Sequence, residues 1–212
     1  MVGEQPKLMK HLHWIGHDSF RIDSPLVIYI DPWHLPDASP MADLILVSHE
    51  HHDHCSPESV QKIRNEKTRI LASAGAAESL GGGVEVMRPG ERRVVDPVTI
   101  EAVPAYNVDK PFHPRQANHL GFILDLAGER LYFAGDTDVI PEMKSIRCDV
   151  ALLPVSGKYV MDADQAVEAA DILRPTIAVP MHYGAGVAGT VADADRFREH
   201  SPVPVVVLEE EG

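Results

Sequence analysis

A run of six residues in this chain carries four histidines and one aspartate, in the pattern His-x-His-x-Asp-His. Imidazole nitrogens and carboxylate oxygens are ligands for divalent metals, among them zinc, manganese, nickel and iron. On a loop, such a run can direct its ligands into two neighbouring pockets, because it is not restricted to one face as on a helix. The spacing therefore predicts a metal site. The run consists of His49, Glu50, His51, His52, Asp53 and His54.

A solvated histidine-rich loop, or the remnant of an expression tag, is the alternative interpretation of this run. The run is internal, however, and it follows segment 42–47, which contains a short, continuously apolar run typical of a buried strand. Ser56 and Pro57, which come after it, are typical of a helix start. An ordered loop between a strand and a helix fits this context better than a tag.

Two later positions repeat the arrangement of a metal-binding side chain at the end of a strand. Asp136 follows Gly135 after an apolar segment, and His182 follows another apolar segment that ends at Met181. Alone, each is a weak signal, since an aspartate after glycine is typical of a turn. Together with the histidine run they predict additional ligands.

The rest of the chain alternates short apolar runs with turn residues, and it predicts the elements that hold these loops. Strands and helices alternate in the second quarter and at the end, which favours an α/β fold of two mixed sheets with helices on the outer faces. We expect one domain over residues 1–212. Strands are predicted at 11–15, 19–23, 26–31, 42–47, 69–72, 84–87, 92–95, 98–104, 121–126, 129–134, 149–154, 176–181 and 204–208, and helices at 57–66, 74–80, 163–173 and 191–200.

Composition excludes several classes of function. The 212 residues include 19 Lys and Arg against 32 Asp and Glu, a formal charge of −13, which argues against nucleic acid as a partner. The apolar runs are far shorter than the roughly 20 residues that span a bilayer. Two cysteines and an N-terminus without a signal-peptide pattern favour a cytoplasmic protein rather than a disulfide-stabilised secreted one.

These motifs resemble those of the metallo-β-lactamase fold superfamily over nearly the whole chain. The segments 14–20 and 53–58 are more similar to its L-ascorbate-6-phosphate-lactonase-like branch than to true β-lactamases. The resemblance implies a four-layer αβ/βα sandwich with metals at one edge of its two sheets. It also implies that His49 and His51 bind one ion, that Asp53, His54 and His182 bind a second, and that Asp136 bridges them. The matching residues are Asp31, His49, His51, Asp53, His54, Asp136 and His182.

One expected ligand departs from the family pattern. The superfamily usually supplies a third histidine to the first metal from a strand end, where this chain has Asn107. An amide is a poor zinc ligand compared with an imidazole. His113, six residues later, is the candidate substitute, and an ordinary loop position is its alternative; His119 is a weaker candidate. Without a substitute, the first site would be weaker, and the chain would hold one ion or bind the other only together with substrate.

A pair of metals sharing a carboxylate would activate water near neutral pH. We therefore expect a metal-dependent hydrolase that uses a metal-bound, bridging hydroxide on an ester, lactone or phosphodiester bond of a small molecule. Asp53 and Asp136 are the predicted catalytic residues. We expect one or two divalent ions, zinc first, with manganese, nickel and iron as alternatives.

Other functions stay open on the sequence alone. A non-catalytic metal-binding or scaffold domain is the main alternative, and a nuclease is disfavoured by the acidic charge. We expect no nucleic acid and no membrane partner, and a homo-oligomer stays open. His17 and Asp31 are candidates for orienting the metal ligands. Cys55 has no evident neighbouring base and is interpreted as an inert buried thiol.

Overall fold

Two mixed sheets of six strands each form the fold in the computed structural model, which describes residues 5–211. In the first sheet the spatial order of the strands is their order in sequence. The first three strands are antiparallel to one another, and the third to the sixth are parallel. These strands are β1 (Leu12–Gly16), β2 (Ser19–Ile22), β3 (Ile28–Ile30), β4 (Leu44–Val47), β5 (Arg69–Ala72) and β6 (Glu85–Val86).

The second sheet contains the remaining six strands, again in sequence order. Its first four strands are antiparallel, and its last three are parallel. Parallel strands need crossover connections, and here helices and long loops supply them. The strands are β7 (Arg92–Val95), β8 (Val98–Pro104), β9 (Leu120–Leu126), β10 (Glu129–Phe133), β11 (Val150–Pro154) and β12 (Ile177–Met181).

Four α-helices are present in the described residues, and side-chain caps explain where they begin. Ser56 accepts a hydrogen bond from the Ser59 backbone N–H at the first helix, and Asp162 and Gln165 form a capping box at the third. Among the helices of residues 5–211, none combines the length and the apolar character that a bilayer crossing requires. The helices are α1 (Pro57–Ile63), α2 (Ala74–Leu80), α3 (Ala163–Leu173) and α4 (Val191–His200), with short 3-10 helices at Lys7–Lys10, Arg115–Ala117 and Pro141–Ser145.

Alternate residues of the first sheet face two different cores, as the two-residue period of a strand requires. Ile28, Ile30 and Leu44 belong to the large core between the sheets. Tyr29 and Ile45, between them in the pleat, belong to a smaller core under α1 and α2. On the other side of the molecule α3 packs on β11, and α4 contacts β12. The predicted sandwich with helices on both outer faces is confirmed.

Two predicted elements differ in the structure. The strand predicted at 204–208 is wrong: Val205 makes one isolated bridge to Ala178. Pro202 and Pro204 lack the backbone N–H that a regular ladder needs, which explains the short pairing. The helix predicted over 57–66 ends at Ile63, because the next residue already has an extended backbone.

Candidate metal centre

One edge of the sandwich collects every predicted metal-binding side chain. Strands β1, β3, β4, β8, β10 and β12 all end at this edge, so the loops that follow them meet there. The pairing of the two sheets thus brings together residues far apart in sequence. In chain order, the loops supply His17 and Asp18, then Asp31, then the run from His49 to His54, then His113 and His119, then Asp136, and finally His182.

Several of these residues lie on backbone in the left-handed region, which fixes their direction. The φ angles are 52° at His17, 45° at Asp31 and 60° at His182. The His17 carbonyl accepts hydrogen bonds from the His182 backbone N–H at 3.1 Å and from the Trp14 indole N–H at 2.9 Å. The hairpin turn of the first sheet is therefore joined directly to the end of β12 in the second.

Gly135 permits the close approach of Asp136 to this centre. Its φ is 65°, and a Cβ on it would lie 2.6 Å from the Leu120 carbonyl oxygen. A larger residue would displace either β9 or the Asp136 loop, so the Gly-Asp turn predicted from sequence has a steric reason here.

The first group of donors comprises His49, His51, His113 and Asp136, whose candidate ligand atoms all lie within 4.8 Å of one another. His51 Nδ1 lies 3.0 Å from His49 Nε2 and 3.2 Å from His113 Nε2. Asp136 Oδ2 lies 3.1 Å from His113 Nε2. Ligands that share one ion are separated by about 2.8–3.6 Å when their bonds are about 2.0–2.2 Å long. These side chains could therefore hold an ion.

His113, rather than Asn107, contributes its ring to this group. The Asn107 side-chain oxygen accepts a hydrogen bond from the His113 backbone N–H at 3.0 Å, and its amide donates to the Tyr159 carbonyl at 2.9 Å. His113 Nδ1 lies 3.2 Å from the same carbonyl, which leaves Nε2 directed at the other donors. Asn107 thus positions the loop that carries His113.

His119 packs behind the first group instead of joining it. Its ring stacks on that of His49, with the centroids 4.7 Å apart, and its Nε2 lies 3.5 Å from Glu50 Oε1. Burial lowers the pKa of His119 and lowers that of His49 well below its usual value, which keeps both imidazoles neutral. Neutral imidazole is the form that binds metals.

A second group contains His17, Asp18, His54 and His182, again within 4.8 Å of one another. Asp18 Oδ2 lies 3.5 Å from His54 Nε2 and 3.8 Å from His182 Nε2. Asp18 was not among the residues assigned from the sequence. The only indication in the sequence is that Asp18 follows His17 in the turn between two short strands. The sequence of that turn does not show that β12 ends beside it.

Asp136 contacts both groups, and Asp53 lies at the margin of the second. Asp136 Oδ1 is 3.3 Å from His54 Nε2, and its Oδ2 is 3.4 Å from His182 Nε2. Asp53 Oδ2 is 3.2 Å from His17 Nε2 and 3.8 Å from His54 Nε2. The arrangement suits a bridging carboxylate at Asp136.

Hydrogen bonds on the far nitrogens orient these imidazoles. His54 Nδ1 lies 2.8 Å from Asp31 Oδ2, and Asp31 also accepts from the Ser48 backbone N–H at 2.7 Å. His182 Nδ1 lies 2.8 Å from Ser156 Oγ. With Nδ1 engaged, each ring presents Nε2 to the centre, as metal-bound histidines commonly do.

Electrostatics at the centre favour positive charge. Burial lowers the pKa of His182, but the Asp136 and Asp18 carboxylates outweigh it and raise that pKa to about 9. Burial likewise opposes the charged form of His54, whose pKa is nevertheless held well above its usual value by Asp136 and the hydrogen bond to Asp31. Burial raises the pKa of Asp136, and the imidazoles of His54 and His182 bring it well below its usual value. A divalent ion would compete with these protons.

The residues present fit a metal ion. Within residues 5–211, four buried atoms that face one another lack a hydrogen-bond partner: both carboxylate oxygens of Asp18, His54 Nε2 and Asp136 Oδ1. Buried carboxylate oxygens without a partner are costly in free energy. Coordination of a cation would satisfy them.

A cavity of about 180 Å³ opens onto the centre. Its floor consists of site residues, and one wall is apolar, where the Phe112 and Tyr159 rings meet edge to face with centroids 4.8 Å apart. Lysine and arginine are absent from the residues that line it in the described chain. The lining consists of His51, His52, Asp53, Phe112, His113, Asp136, Tyr159, His182 and Val187.

Similarity to known proteins agrees with this fold and site. Residues 11–182 match the family model described as a beta-lactamase superfamily domain. A metal-dependent hydrolase of Thermoplasma acidophilum is 36% identical over 203 residues, covering 87% of this chain and 88% of that protein. A crystal structure from Parabacteroides distasonis has a TM-score of 0.84 at 34% identity, covering 94% of this chain and 93% of that one. A metallo hydrolase of Ignicoccus hospitalis has a TM-score of 0.75 at 26% identity, covering 95% of both chains.

The chain therefore belongs to the beta-lactamase superfamily, among the metal-dependent hydrolases that these relatives represent. The superfamily resemblance identified from the motifs is confirmed.

Proposed function

We propose that this chain hydrolyses an ester, lactone or phosphodiester bond of a small molecule with one or two divalent ions. The first ion would be held by His49, His51 and His113, and the second by Asp53, His54 and His182, with Asp136 between them. The observation that carries the proposal is the convergence of buried donor atoms, several of them without a hydrogen-bond partner in the described chain, beneath an open cavity. The names of the relatives support the hydrolase class, and the lactonase-like branch stays a prediction.

When bound, divalent ions at such a site supply a nucleophile from water at neutral pH and withdraw electron density from the bond under attack. The protein contributes position and charge. Asp136 reaches both donor groups and fixes their separation. Asp53 lies on the cavity wall, where hydrogen bonding to His17 and the neighbouring imidazoles lower its pKa against the effect of burial. A carboxylate held ionised in this position can accept a hydrogen bond from a water molecule and orient it.

The cavity limits the substrate. Its volume of about 180 Å³ is below the roughly 300–1,000 Å³ of sites for drug-sized ligands, so it suits the reacting end of a small molecule. Phe112 and Tyr159 offer an aromatic wall, and neither lysine nor arginine lines the cavity in the described chain to hold a phosphate. Within the proposed range of substrates, these walls favour carboxylic esters and lactones over phosphodiesters.

Elemental analysis of the chain purified without added metal, followed by assays on esters, lactones and phosphodiesters, tests the proposal. We expect one or two ions per chain and turnover on at least one ester or lactone. His54→Ala should abolish turnover and lower the metal content, whereas His200→Ala, an exposed histidine on α4, serves as the matched control. Full activity in His54→Ala, or full metal content without turnover on any substrate, contradicts the proposal; the latter favours a metal-binding scaffold.

A further inference from the structure

We propose that Asp18, which is buried and outside the cavity lining, is an additional carboxylate ligand of the second ion and that it increases the preference of that site for manganese relative to zinc. This inference rests on the proposed function, since it requires a second ion near His54 and His182. Asp18 is not among the residues that match the superfamily motif, and its distances to the other donors and its burial assign it this role.

The spacing of Asp18 suits a shared ion. Its Oδ2 lies 3.5 Å from His54 Nε2 and 3.8 Å from His182 Nε2. Neighbouring ligand atoms of one ion, each bonded at about 2.0–2.2 Å, lie about 2.8–3.6 Å apart. The Asp136 carboxylate contacts the same two imidazoles: its Oδ1 lies 3.3 Å from His54 Nε2 and its Oδ2 lies 3.4 Å from His182 Nε2. A shift of a few tenths of an ångström at Asp18 would complete the coordination.

Burial gives a second, independent indication. The Asp18 side chain is fully buried, and neither carboxylate oxygen has a hydrogen-bond partner within residues 5–211. The neighbouring Ser19, by contrast, accepts a hydrogen bond from the Trp33 backbone N–H at 3.2 Å. A carboxylate placed in a closed polar centre without a donor to satisfy it is expected where a cation binds.

The hairpin turn holds Asp18 in this position. The preceding residue is anchored through its carbonyl to Trp14 and His182, and a Cβ on Gly16 would lie 2.8 Å from Glu210 Oε1. His17 Nε2 lies 3.2 Å from Asp53 Oδ2 and 3.7 Å from Asp18 Oδ2, so the imidazole stands between the two carboxylates. The turn therefore presents the Asp18 carboxylate, and Asp53 stays on the cavity side.

Oxygen content sets the expected metal preference. Imidazole suits zinc, iron and nickel, whereas carboxylate oxygens suit manganese and other hard cations. With Asp18, the second site combines up to three carboxylates with two imidazoles, whereas the first has three imidazoles and one shared carboxylate. Removing Asp18 should therefore weaken manganese binding more than zinc binding.

Titration calorimetry of the metal-free full-length chain with Mn²⁺ and with Zn²⁺ tests this role. We expect the wild type to bind two ions and Asp18→Asn to keep the first while its second Mn²⁺ affinity falls at least about tenfold. The loss for Zn²⁺ should be smaller. Asp164→Asn, an exposed aspartate paired with Arg196, is the matched control and should bind as the wild type. Circular dichroism verifies that each variant is folded.

A crystal structure of the Mn²⁺-loaded wild type provides a test that needs no variant. We expect an Asp18 oxygen within about 2.3 Å of the second ion. Equal second-ion affinities in the wild type and Asp18→Asn, or an Asp18 carboxylate bonded only to histidine in the loaded crystal, overturn the inference and leave the proposed function intact. A wild type that binds no divalent ion contradicts both.

Discussion

The two donor groups at the edge of the sandwich differ in their composition and in their access to solvent. The first is rich in imidazole, and its His51 is partly exposed on the cavity floor. The second contains Asp18 and is buried throughout. Both groups reach the cavity, the first through His51 and His113 and the second through His182, whereas Asp18 is fully buried and outside the cavity lining. Because the two groups differ in composition and in access to solvent, we expect them to bind their ions with unequal affinity.

The largest effect is expected from a substitution that removes both ions together. Asp136→Ala removes the carboxylate that reaches both groups, so we expect metal content to fall at both sites and kcat/KM to drop by about a thousandfold or more. Elemental analysis and steady-state assays on the best substrate measure this. Asp164→Ala is the control. Retention of one tightly bound ion in Asp136→Ala would show that the groups are independent.

A change confined to the first group separates the roles of His113 and Asn107. We expect His113→Ala to weaken the first ion by more than about 100-fold, and Asn107→Ala, which only loosens the loop, by about tenfold. Calorimetry with Zn²⁺ gives both values. If the asparagine variant loses more affinity than the histidine variant, the assignment of the third ligand has to be reversed.

Substituting a residue that orients a ligand of the second group should weaken metal binding at that group only moderately and leave metal binding at the first group unchanged. Asp31→Asn weakens the hydrogen bond that orients His54, and we expect the second ion to bind about 10–100-fold more weakly. Binding of Co²⁺, followed by its visible absorption, reports each site through its ligand geometry. Equal weakening at both sites would indicate a general loss of structure instead.

The smallest effect is expected from a substitution in the cavity wall, because it changes no metal ligand. Phe112→Ala removes one face of the aromatic pair, and we expect KM for an aromatic ester to rise about three- to tenfold with metal content unchanged. Val94→Ala, an exposed apolar residue on β7, is the control. An unchanged KM would place the substrate on the other side of the cavity.

Local patterns in the sequence predict most of the strands and helices of the fold. The apolar run before His49, the capped start of the helix after it and the Gly135-Asp136 turn are all local signals, and each is present in the structure, although the helix ends at Ile63 rather than at 66. The segment 204–208 is apolar enough for a strand, but Pro204 within it and Pro202 before it limit the pairing. The amino-acid types of a segment indicate its preference for an extended strand. Pairing with a neighbouring strand also requires backbone N–H groups that can donate hydrogen bonds, and proline has none.

The candidate site was predictable where its residues are adjacent in sequence and less so where the sheets bring them together. The spacing of His49, His51 and His54 is visible along the chain, but the choice between His113 and Asn107 depends on how the β8–β9 loop folds over Tyr159. Asp18 became evident only from the contact between its turn and His182, which depends on the packing of both sheets.

The left-handed backbone at His17, Asp31 and His182 also bears on folding stability. Non-glycine residues in that region each cost on the order of 1 kcal/mol, and glycine would occupy the same positions more cheaply but without a side chain to bind or orient an ion. A ligand that binds the native state alone offsets such a cost by mass action. Metal supply would then raise the folded fraction of this protein as well as its activity.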